Sequence, residues 1–175
     1  NELNIDFLST PFDIDSAHFL VGLGIKKIKV SSGDITHLPF LKQLAEFNLP
    51  IILSTGMSEL FEINEAITSI KDTREAIGFK ESLGSILSLL HCTSNYPADF
   101  KDANLNAIKT IAKAFSLPVG YSDHTLGNLA SIVAVSMGSK IIEKHFTIDK
   151  NMSGPDHETS LDPSEFKEMV DSIRK

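Results

Sequence analysis

The stretch from residue 50 to residue 60, PIILSTGMSEL, decides how the fold is built. Residues 51–53 form a short apolar run, which predicts a buried β-strand. A Ser-Thr-Gly turn follows, and Ser58 is placed to cap a helix that continues to about Lys71. A strand, a polar turn and a helix in this order make one βα unit.

Short apolar runs alternate with longer amphipathic segments along the whole chain. Strands are predicted at residues 5–8, 27–30, 51–53, 86–91, 119–121 and 140–143. Apolar residues at helical spacing, or capping residues, predict further helices over residues 38–45, 105–115, 126–137 and 163–173. Successive strands begin roughly 22 to 35 residues apart, which is the length of one strand and one helix with short loops.

Six βα units of this kind predict an α/β fold with a parallel sheet and right-handed crossovers. The pattern alone leaves two architectures open, an open doubly wound sheet and a TIM (β/α)8 barrel. No glycine-rich nucleotide-binding loop follows any predicted strand, which disfavours the open sheet. A complete barrel typically needs about 250 residues, so six units would make three quarters of one. The chain has no initiator Met, and we expect it to be a piece of a longer protein.

The composition is that of an acidic globular domain. The 175 residues carry a formal net charge of −7, and 42% of them are hydrophobic, enough to form one core. This charge argues against a nucleic-acid or anionic-membrane partner, and no apolar run reaches transmembrane length. The one cysteine, Cys92, cannot form an intrachain disulfide. We therefore expect a cytoplasmic protein in which Cys92 is a small buried residue.

Polar residues follow all six predicted strands. They read Ser9-Thr10-Pro11, Ser31-Ser32-Gly33, Ser54-Thr55-Gly56, HCTSNY at residues 91–96, Ser122-Asp123-His124 and Glu143-Lys144-His145. Taken singly, each group is an ordinary turn or helix cap. In a parallel barrel, however, these ends meet at one mouth, where hydroxyl and backbone N–H groups can hold a phosphate or a carboxylate.

Cationic residues that could serve such an anion site are few. The two arginines, Arg74 and Arg174, are both predicted on helices, away from the strand ends. A phosphate would therefore rely on lysine, hydroxyls, backbone N–H groups or a metal rather than on a bidentate arginine. Lys29 lies in an otherwise apolar strand, and the pattern leaves open whether it contacts solvent or a ligand.

His124 and His145 are the candidate metal ligands, since each directly follows a predicted strand. Imidazole suits Mn, Fe, Co or Zn better than Mg or Ca. The alternative is that both are core or capping histidines. Asp123 and Glu143 beside them could support the ligands or take part in acid–base chemistry. The polar segment at residues 146–161 is either a functional loop or a connector before the last helix.

Seven segments, in order, closely resemble the sialic acid synthase family. They are FLSTPFD, KVSSGDITHLPFL, PIILSTGMS, LLHCTSNYP, GYSDHT, IIEKHFT and GPDH. The family comprises bacterial N-acetylneuraminate synthases and their legionaminate and pseudaminate relatives. The resemblance covers almost the whole chain and implies a TIM-barrel catalytic domain, of which residues 1–175 would supply strands three to eight. It also implies that phosphoenolpyruvate is condensed with an N-acetylated hexosamine, typically N-acetylmannosamine, to give a nine-carbon 2-keto acid and phosphate.

The resemblance also assigns roles to individual residues. It implies that His124 and His145 bind a divalent metal, Mn²⁺ or Mg²⁺, and that Tyr96 and Asp156 contact the amino sugar. The implied contacts with phosphoenolpyruvate are Thr10, Lys29, Ser32, Ser54, Ser94 and Ser122. Relatives often have asparagine at the position of Ser94. The candidates for catalysis are Glu143 and Asp123, which would move protons, and Lys29, which would hold the phosphate.

By the same resemblance, parts of the active site lie outside this chain. The first two βα units would precede Asn1, and a C-terminal antifreeze-like domain would reach the partner subunit's site in a domain-swapped homodimer. We therefore expect the isolated chain to be inactive or severely impaired. Two other functions stay open: another phosphoenolpyruvate–sugar condensing barrel, such as a 3-deoxy-octulosonate phosphate synthase, and a catalytically inactive binding barrel. The first would need further cationic residues for a second phosphate, and the second would be expected to lose the site residues.

Overall fold

The computed structural model describes residues 5–175, and the chain divides into two compact units, Asn1–Leu89 and Leu90–Lys175. The first unit contains α1 (Ile14–Gly22), β1 (Ile28–Val30), a 3₁₀ turn (Ser32–Asp34), α2 (Leu38–Ala45), β2 (Ile51–Ser54), α3 (Leu60–Ala76) and α4 (Leu83–Ile86). Strand β3 (Leu87–Cys92) begins in the first unit and ends in the second. The second unit continues with α5 (Asn106–Phe115), β4 (Val119–Asp123), α6 (Leu129–Ser136), β5 (Ile142–Lys144) and α7 (Pro163–Ile173).

The sheet of the first unit is parallel and buried. β1 pairs with β2 so that Ile28 lies opposite Ile51 and Val30 lies opposite Leu53, and β3 follows β2 in the strand order. Every residue of β1 and β2 is buried. Burial of consecutive strand residues is typical of parallel strands, whose two faces are both covered. The predicted α/β fold with parallel strands is thus confirmed.

Arg74 is a buried structural residue near the end of α3. It donates hydrogen bonds to the Asn48 side chain at 2.7 Å and to the Ala45 carbonyl at 3.4 Å. Its guanidinium also lies 3.5 Å from the Glu81 carboxylate and 4.8 Å from the centre of the Phe79 ring. These contacts fix α3 to the segment that follows α2, which agrees with the prediction that Arg74 lies away from the strand ends.

In the second unit, β4 follows β3 in the strand order and pairs in parallel with β5. Gly120 of β4 has no room for a side chain, because a Cβ atom there would be 2.5 Å from the carbonyl oxygen of Ile141, just before β5, and 2.6 Å from Leu90 Cδ2 on β3. Helix α7 begins as predicted. The Asp162 carboxylate accepts hydrogen bonds from the N–H groups of Ser164 and Glu165 at 2.8 and 2.9 Å, so it caps the helix.

The strand predicted at residues 5–8 is wrong. The structure has coil there, and the side chains of Ile5, Phe7 and Leu8 are 68%, 60% and 40% exposed. A strand is stabilised by burying an apolar face against neighbours, and this run buries little of its own. Residues 5–175 therefore contain five strands where six were predicted.

Other boundaries differ from prediction by a few residues. Ile86 ends α4 rather than starting a strand, and β5 begins at Ile142 rather than at residue 140. The helix predicted from Ser58 is capped one residue later, by Glu59, whose N–H donates to the Glu62 carboxylate at 2.7 Å. This helix continues to Ala76, and α6 is shorter than the predicted 126–137. Within the described residues, no helix combines the length and the hydropathy that crossing a membrane requires.

Candidate active site

The rings of Tyr96, His124 and His145 lie together in the second unit. The centroid of the Tyr96 ring is 4.1 Å from that of His124 and 5.5 Å from that of His145. The two imidazole centroids are 5.4 Å apart, with the rings perpendicular. The structure thus brings the two predicted metal ligands together with one of the two predicted sugar contacts.

Strand register explains why the two histidines meet. Asp123, the last residue of β4, lies opposite Lys144, the last residue of β5. His124 and His145 are the next residues, so they leave two parallel strands at the same level of the sheet. The segment that carries the tyrosine is attached at this level, because the Ala98 N–H donates to the His124 carbonyl at 2.8 Å.

The tautomer of His124 is set by its hydrogen bonds. Its Nδ1 lies 2.7 Å from the Thr93 carbonyl oxygen, which can only accept, so Nδ1 carries the proton and Nε2 carries the lone pair. The nearby Ser122 hydroxyl, 3.3 Å from Nε2, donates its single proton to Glu143 at 2.7 Å. Burial lowers the pKa of His124, which favours the neutral ring. A neutral imidazole with an Nε2 lone pair is the form that binds a metal.

Asp156 faces His145 from the loop that precedes α7. Its Oδ2 lies 3.6 Å from His145 Nδ1, and the two side chains are 47% and 32% exposed. The next residue, His157, is held by a 2.8 Å hydrogen bond between its Nδ1 and the Thr147 hydroxyl. Gly154 has a φ of +151°, and a Cβ there would lie 2.9 Å from the His157 ring. The positive φ favours glycine, and a larger residue at this position would also require the His157 ring to shift.

The loop at residues 147–160 is closed at its base. The Thr147 N–H donates to the Leu161 carbonyl at 2.9 Å, and the Leu161 N–H donates to the His145 carbonyl at 2.9 Å. These bonds form a short parallel bridge between Phe146 and Leu161. Of the two interpretations of this segment, the placement of Asp156 against His145 favours a functional loop.

Two predicted contacts lie on the segment after β3. Ser94 is exposed, and Tyr96 is 49% exposed. Burial of the rest of its ring, with a smaller contribution from the Asp156 carboxylate, raises the pKa of Tyr96. The Tyr96 hydroxyl therefore keeps its proton at neutral pH and can donate a hydrogen bond.

The structure places the two candidate proton carriers differently. Glu143 lies beside the rings and accepts the hydrogen bond from Ser122. Asp123 is 1% exposed, and its Oδ2 lies 3.1 Å from the Nζ of Lys144. Burial lowers the pKa of Lys144, and the adjacent Asp123 carboxylate opposes this shift.

The first unit holds four of the predicted phosphoenolpyruvate contacts. Lys29 is only 7% exposed, so of its two open interpretations the solvent-facing one is wrong. The Ser32 hydroxyl accepts a hydrogen bond from the Gly56 N–H at 2.9 Å. The Ser54 hydroxyl is buried and has no hydrogen-bond partner within residues 5–175. Thr10 is half-buried in the coil before α1. A buried hydroxyl without a partner is costly, which makes Ser54 a candidate for contact with a ligand.

The donor set suits a transition metal that takes part of its coordination from elsewhere. In the part of the chain that the structure describes, no group of three or more His, Cys, Asp and Glu side chains is arranged to hold a metal. Two imidazoles are present, with the Nε2 lone pair of His124 available. Such a pair fits Mn²⁺ better than Mg²⁺, with the remaining positions taken by water or substrate oxygens.

The sequence did not predict the residues that contact and orient the candidate site residues. The Thr93 carbonyl orients His124, but a backbone carbonyl leaves no trace in side-chain patterns. Lys144 could have been noticed, because it lies between two candidate site residues, Glu143 and His145. A lysine there, if buried, needs an acidic partner, which the structure shows to be Asp123. The Gly154-Pro155 turn predicts that Asp156 and His157 are presented together, but the hydrogen bond between His157 and Thr147 was not predicted.

A sequence model of the NeuB family matches residues 1–175. The chain belongs to the NeuB family. The N,N'-diacetyllegionaminic acid synthase of Legionella pneumophila is 52% identical to it over 174 residues, which are 99% of this chain and 48% of that protein. The pseudaminic acid synthase of Campylobacter jejuni is 37% identical over 170 residues, which are 95% of this chain and 46% of that protein.

A solved structure supports membership of the NeuB family. The crystal structure of the N-acetylneuraminic acid synthetase of Leptospira borgpetersenii, in complex with citrate, matches with a TM-score of 0.90 at 36% identity. The match covers 99% of this chain and 57% of that one. The family resemblance seen in the seven sequence segments is therefore confirmed. The chain spans about half the length of the curated relatives it matches.

Proposed function

We propose that this NeuB-family chain belongs to an enzyme, a transferase, that condenses phosphoenolpyruvate with an N-acetylated amino sugar. The products would be phosphate and a nine-carbon 2-keto acid of the N-acetylneuraminate or legionaminate type. The observation that carries the proposal is the pair of imidazoles, His124 and His145, next to Tyr96 and Asp156. Nitrogen donors beside a phenol and a carboxylate suit the binding and activation of a polyhydroxylated aldehyde.

His124 and His145 would hold the divalent metal ion, Mn²⁺ or Mg²⁺, and imidazole favours Mn²⁺. When bound, the ion would act as a Lewis acid on the aldehyde oxygen of the open-chain sugar. Thr93 holds His124 through Nδ1, and Asp156 faces Nδ1 of His145. Both contacts leave Nε2 for coordination, as partners of metal-binding histidines commonly do.

Phosphoenolpyruvate is an anion, and the chain offers it lysine and hydroxyl groups. The proposed contacts are Thr10, Lys29, Ser32, Ser54, Ser94 and Ser122. Burial of Lys29 supports this role, because attraction to an anion is stronger where water is excluded. The buried Ser54 hydroxyl would find its missing partner in a phosphate or carboxylate oxygen. These contacts would orient the nucleophilic C3 of phosphoenolpyruvate toward the aldehyde carbon.

Glu143 is the proposed proton carrier. C3 of phosphoenolpyruvate would bond to the aldehyde carbon, and water would add at C2. The water gives up one proton, which the Glu143 carboxylate beside the rings can accept and pass to the former aldehyde oxygen, so that this oxygen becomes a hydroxyl. The bond between C2 and the phosphate oxygen then breaks, the new C2 hydroxyl becomes the ketone, and its proton leaves with the phosphate. Asp123, the other candidate, is enclosed in an ion pair, which favours a role in holding the site over contact with substrate.

The acceptor sugar would contact Tyr96 and Asp156. The Tyr96 hydroxyl can donate a hydrogen bond, and the Asp156 carboxylate can accept one from a sugar hydroxyl. The 52% identity to a legionaminic acid synthase favours the 2,4-diacetamido-6-deoxy counterpart of N-acetylmannosamine as the acceptor. N-acetylmannosamine itself is the second candidate.

The complete protein would be a cytoplasmic homodimer with a TIM-barrel catalytic domain, to which this chain contributes the five described strands. Relatives are about twice as long as this chain, which supports further site residues outside it. We therefore propose that residues 1–175 alone are inactive or severely impaired. Robust turnover by the isolated chain would contradict this.

The experiment is an assay of the full-length protein with phosphoenolpyruvate and each sugar, following phosphate release and 2-keto acid formation. We expect turnover with the diacetamido sugar and a loss of turnover on chelation of divalent metals. Failure with both sugars would reject the proposed acceptors, and a pseudaminate-type sugar would be tested next.

Turnover with a phosphorylated aldose instead would indicate the other condensing barrel. Arg74 argues against that alternative, since its guanidinium is occupied by protein contacts. An inactive barrel is disfavoured because Lys29, His124 and His145 are all present.

A further inference from the structure

Asp123 and Lys144 form a fully buried ion pair in the second unit. The Lys144 Nζ lies 3.1 Å from Asp123 Oδ2, and the two side chains are 1% and 0% exposed. These residues are also directly opposite each other in the β4–β5 register. The pair therefore adds a side-chain link between two strands at the point where both end.

Every polar group of this pair has further partners. Asp123 Oδ1 accepts hydrogen bonds from the Thr125 N–H at 2.9 Å and from the Thr125 hydroxyl at 2.7 Å. Asp123 Oδ2 accepts one from the Ser131 hydroxyl at 2.6 Å. Lys144 Nζ donates to the Thr125 carbonyl at 2.5 Å. The network thus connects β4, the turn after it, α6 and β5.

The ion pair lies on the side of the strands opposite the rings. Successive side chains in a strand point to opposite faces, so Asp123 and Lys144 point away from the face that holds Ser122 and Glu143. Ser122 in turn contacts His124 at 3.3 Å. A buried charge pair is seldom more stabilising than apolar residues of similar size, so stability alone does not account for it.

We propose that the Asp123–Lys144 pair is a positioning device that fixes the spacing of His124 and His145 for metal binding. His124 directly follows Asp123, and His145 directly follows Lys144. The ion pair between Asp123 and Lys144 would therefore set the distance between the backbones of the two histidines. This inference rests on the metal role of the histidines in the proposed function.

The test is Mn²⁺ binding by the full-length protein, followed by the electron paramagnetic resonance signal of free Mn²⁺ without any substrate. The variant is Asp123→Asn combined with Lys144→Met, which removes both charges and leaves neither one uncompensated. We expect its dissociation constant for Mn²⁺ to rise about tenfold or more. The unfolding temperature should fall less in the double variant than in Lys144→Met alone, because the single change leaves the Asp123 charge buried without its partner.

Arg74→Met is the matched control, because it removes another buried cation with several protein partners, on a helix that carries no proposed ligand. It should lower the unfolding temperature and leave the Mn²⁺ dissociation constant unchanged. Ser131→Ala is the milder variant. It deletes one hydrogen bond to Asp123 and should weaken Mn²⁺ binding by about twofold to threefold. It decides the question if the double variant does not fold.

The outcomes separate the two proposals. If the unmodified protein does not bind Mn²⁺, the metal role fails and this inference fails with it. If the unmodified protein binds Mn²⁺ and the folded double variant, or Ser131→Ala in its place, binds it equally well, the metal role stands and the positioning role is overturned. An equal loss of Mn²⁺ binding in Arg74→Met would also overturn it, since any destabilisation would then suffice.

Discussion

The Nδ1 atom of His124 lies 2.7 Å from the carbonyl oxygen of Thr93, and this contact determines which ring nitrogen can bind a metal. A carbonyl accepts and cannot donate, so the proton is held on Nδ1. The Nε2 lone pair is then available without any rearrangement of the ring. The backbone of the segment after β3 therefore orients the nitrogen that we propose as a metal ligand.

Replacing His124 or His145 with glutamine should abolish Mn²⁺ binding by the full-length protein or weaken it at least about tenfold. Each change removes one of two proposed nitrogen ligands, while the amide keeps side-chain volume and polarity. Titration calorimetry with Mn²⁺ would measure the effect. His18→Gln is the control, because His18 lies on α1 and contacts the Phe47 ring. Unchanged affinity in both site variants would refute the metal role.

Two buried hydroxyls of the first unit give a matched pair of variants. Ser54 and Ser69 both have a buried Oγ without a hydrogen-bond partner among the described residues. Removing either hydroxyl should leave the unfolding free energy unchanged or raise it by about 1 kcal/mol, since a desolvated polar group is lost. Only Ser54→Ala should raise the KM for phosphoenolpyruvate, by about tenfold, because only Ser54 is a proposed ligand contact. Steady-state kinetics and thermal unfolding of both variants would test this, and an equal KM in both would count against Ser54.

Gly120→Ala should destabilise the second unit. The new methyl group would meet the Ile141 carbonyl oxygen at 2.5 Å, and backbone cannot move aside as a flexible side chain can. We expect a loss of about 2 to 3 kcal/mol in the unfolding free energy, as for other overpacked sites. Gly22→Ala is the control, because nothing lies within 4 Å of its Cβ position at the end of α1. Chemical denaturation would measure the unfolding free energy of both variants, and an equal loss in Gly22→Ala would show that crowding at Gly120 is not the cause.

Protonation of His91 should destabilise the protein in mild acid. Burial lowers the pKa of His91 below its ordinary value of 6.5, although its hydrogen bond to the Ala103 carbonyl partly opposes this. As the pH falls through 6.5, the unfolded chain takes up a proton that the folded chain does not, so the unfolding free energy falls until the folded pKa is reached.

His91→Gln removes this titration and keeps an amide that can donate to the Ala103 carbonyl. The loss of unfolding free energy between about pH 7.5 and 5.5 should therefore be smaller in the variant, by up to about 1.4 kcal/mol for each unit of pKa depression. Urea unfolding at both pH values would measure it. The contribution of His124, which has the same sign, is present in both proteins and cancels. If the unfolding free energy falls equally with pH in the unmodified protein and in His91→Gln, His91 does not contribute to the loss of stability in acid.

Local signals predicted what depends on one segment of chain. Asp162, followed by proline and by Glu165 three residues later, specified the start of α7 because both hydrogen-bonding partners lie in the same turn. The meeting of His124 and His145 was predictable as well, since residues that follow parallel strands share one edge of the sheet.

Features that depend on distant segments were not predictable in the same way. The run at residues 5–8 has the composition of a strand, but burial by neighbouring segments decides whether it forms one. The partner of His124 is a backbone carbonyl, and the partner of Asp123 is Lys144 on the neighbouring strand. Neither pairing can be read from local composition, because both arise only when the strands are side by side.

The loop at residues 147–160 is closed at its base by backbone hydrogen bonds, so the residues between its two ends could be replaced without removing those bonds. Its two ends are joined by the Thr147–Leu161 and Leu161–His145 backbone hydrogen bonds, which do not depend on the side chains between them. Closing a somewhat longer loop costs little additional entropy, so loops of different length can be grafted onto the same two anchor points. Asp156 lies within this loop, while His145 lies at its base, so a change in the loop could alter this proposed sugar contact and retain the pair of imidazoles. Replacing this segment would therefore change one of the two proposed sugar contacts, Asp156, and leave the other, Tyr96, in place.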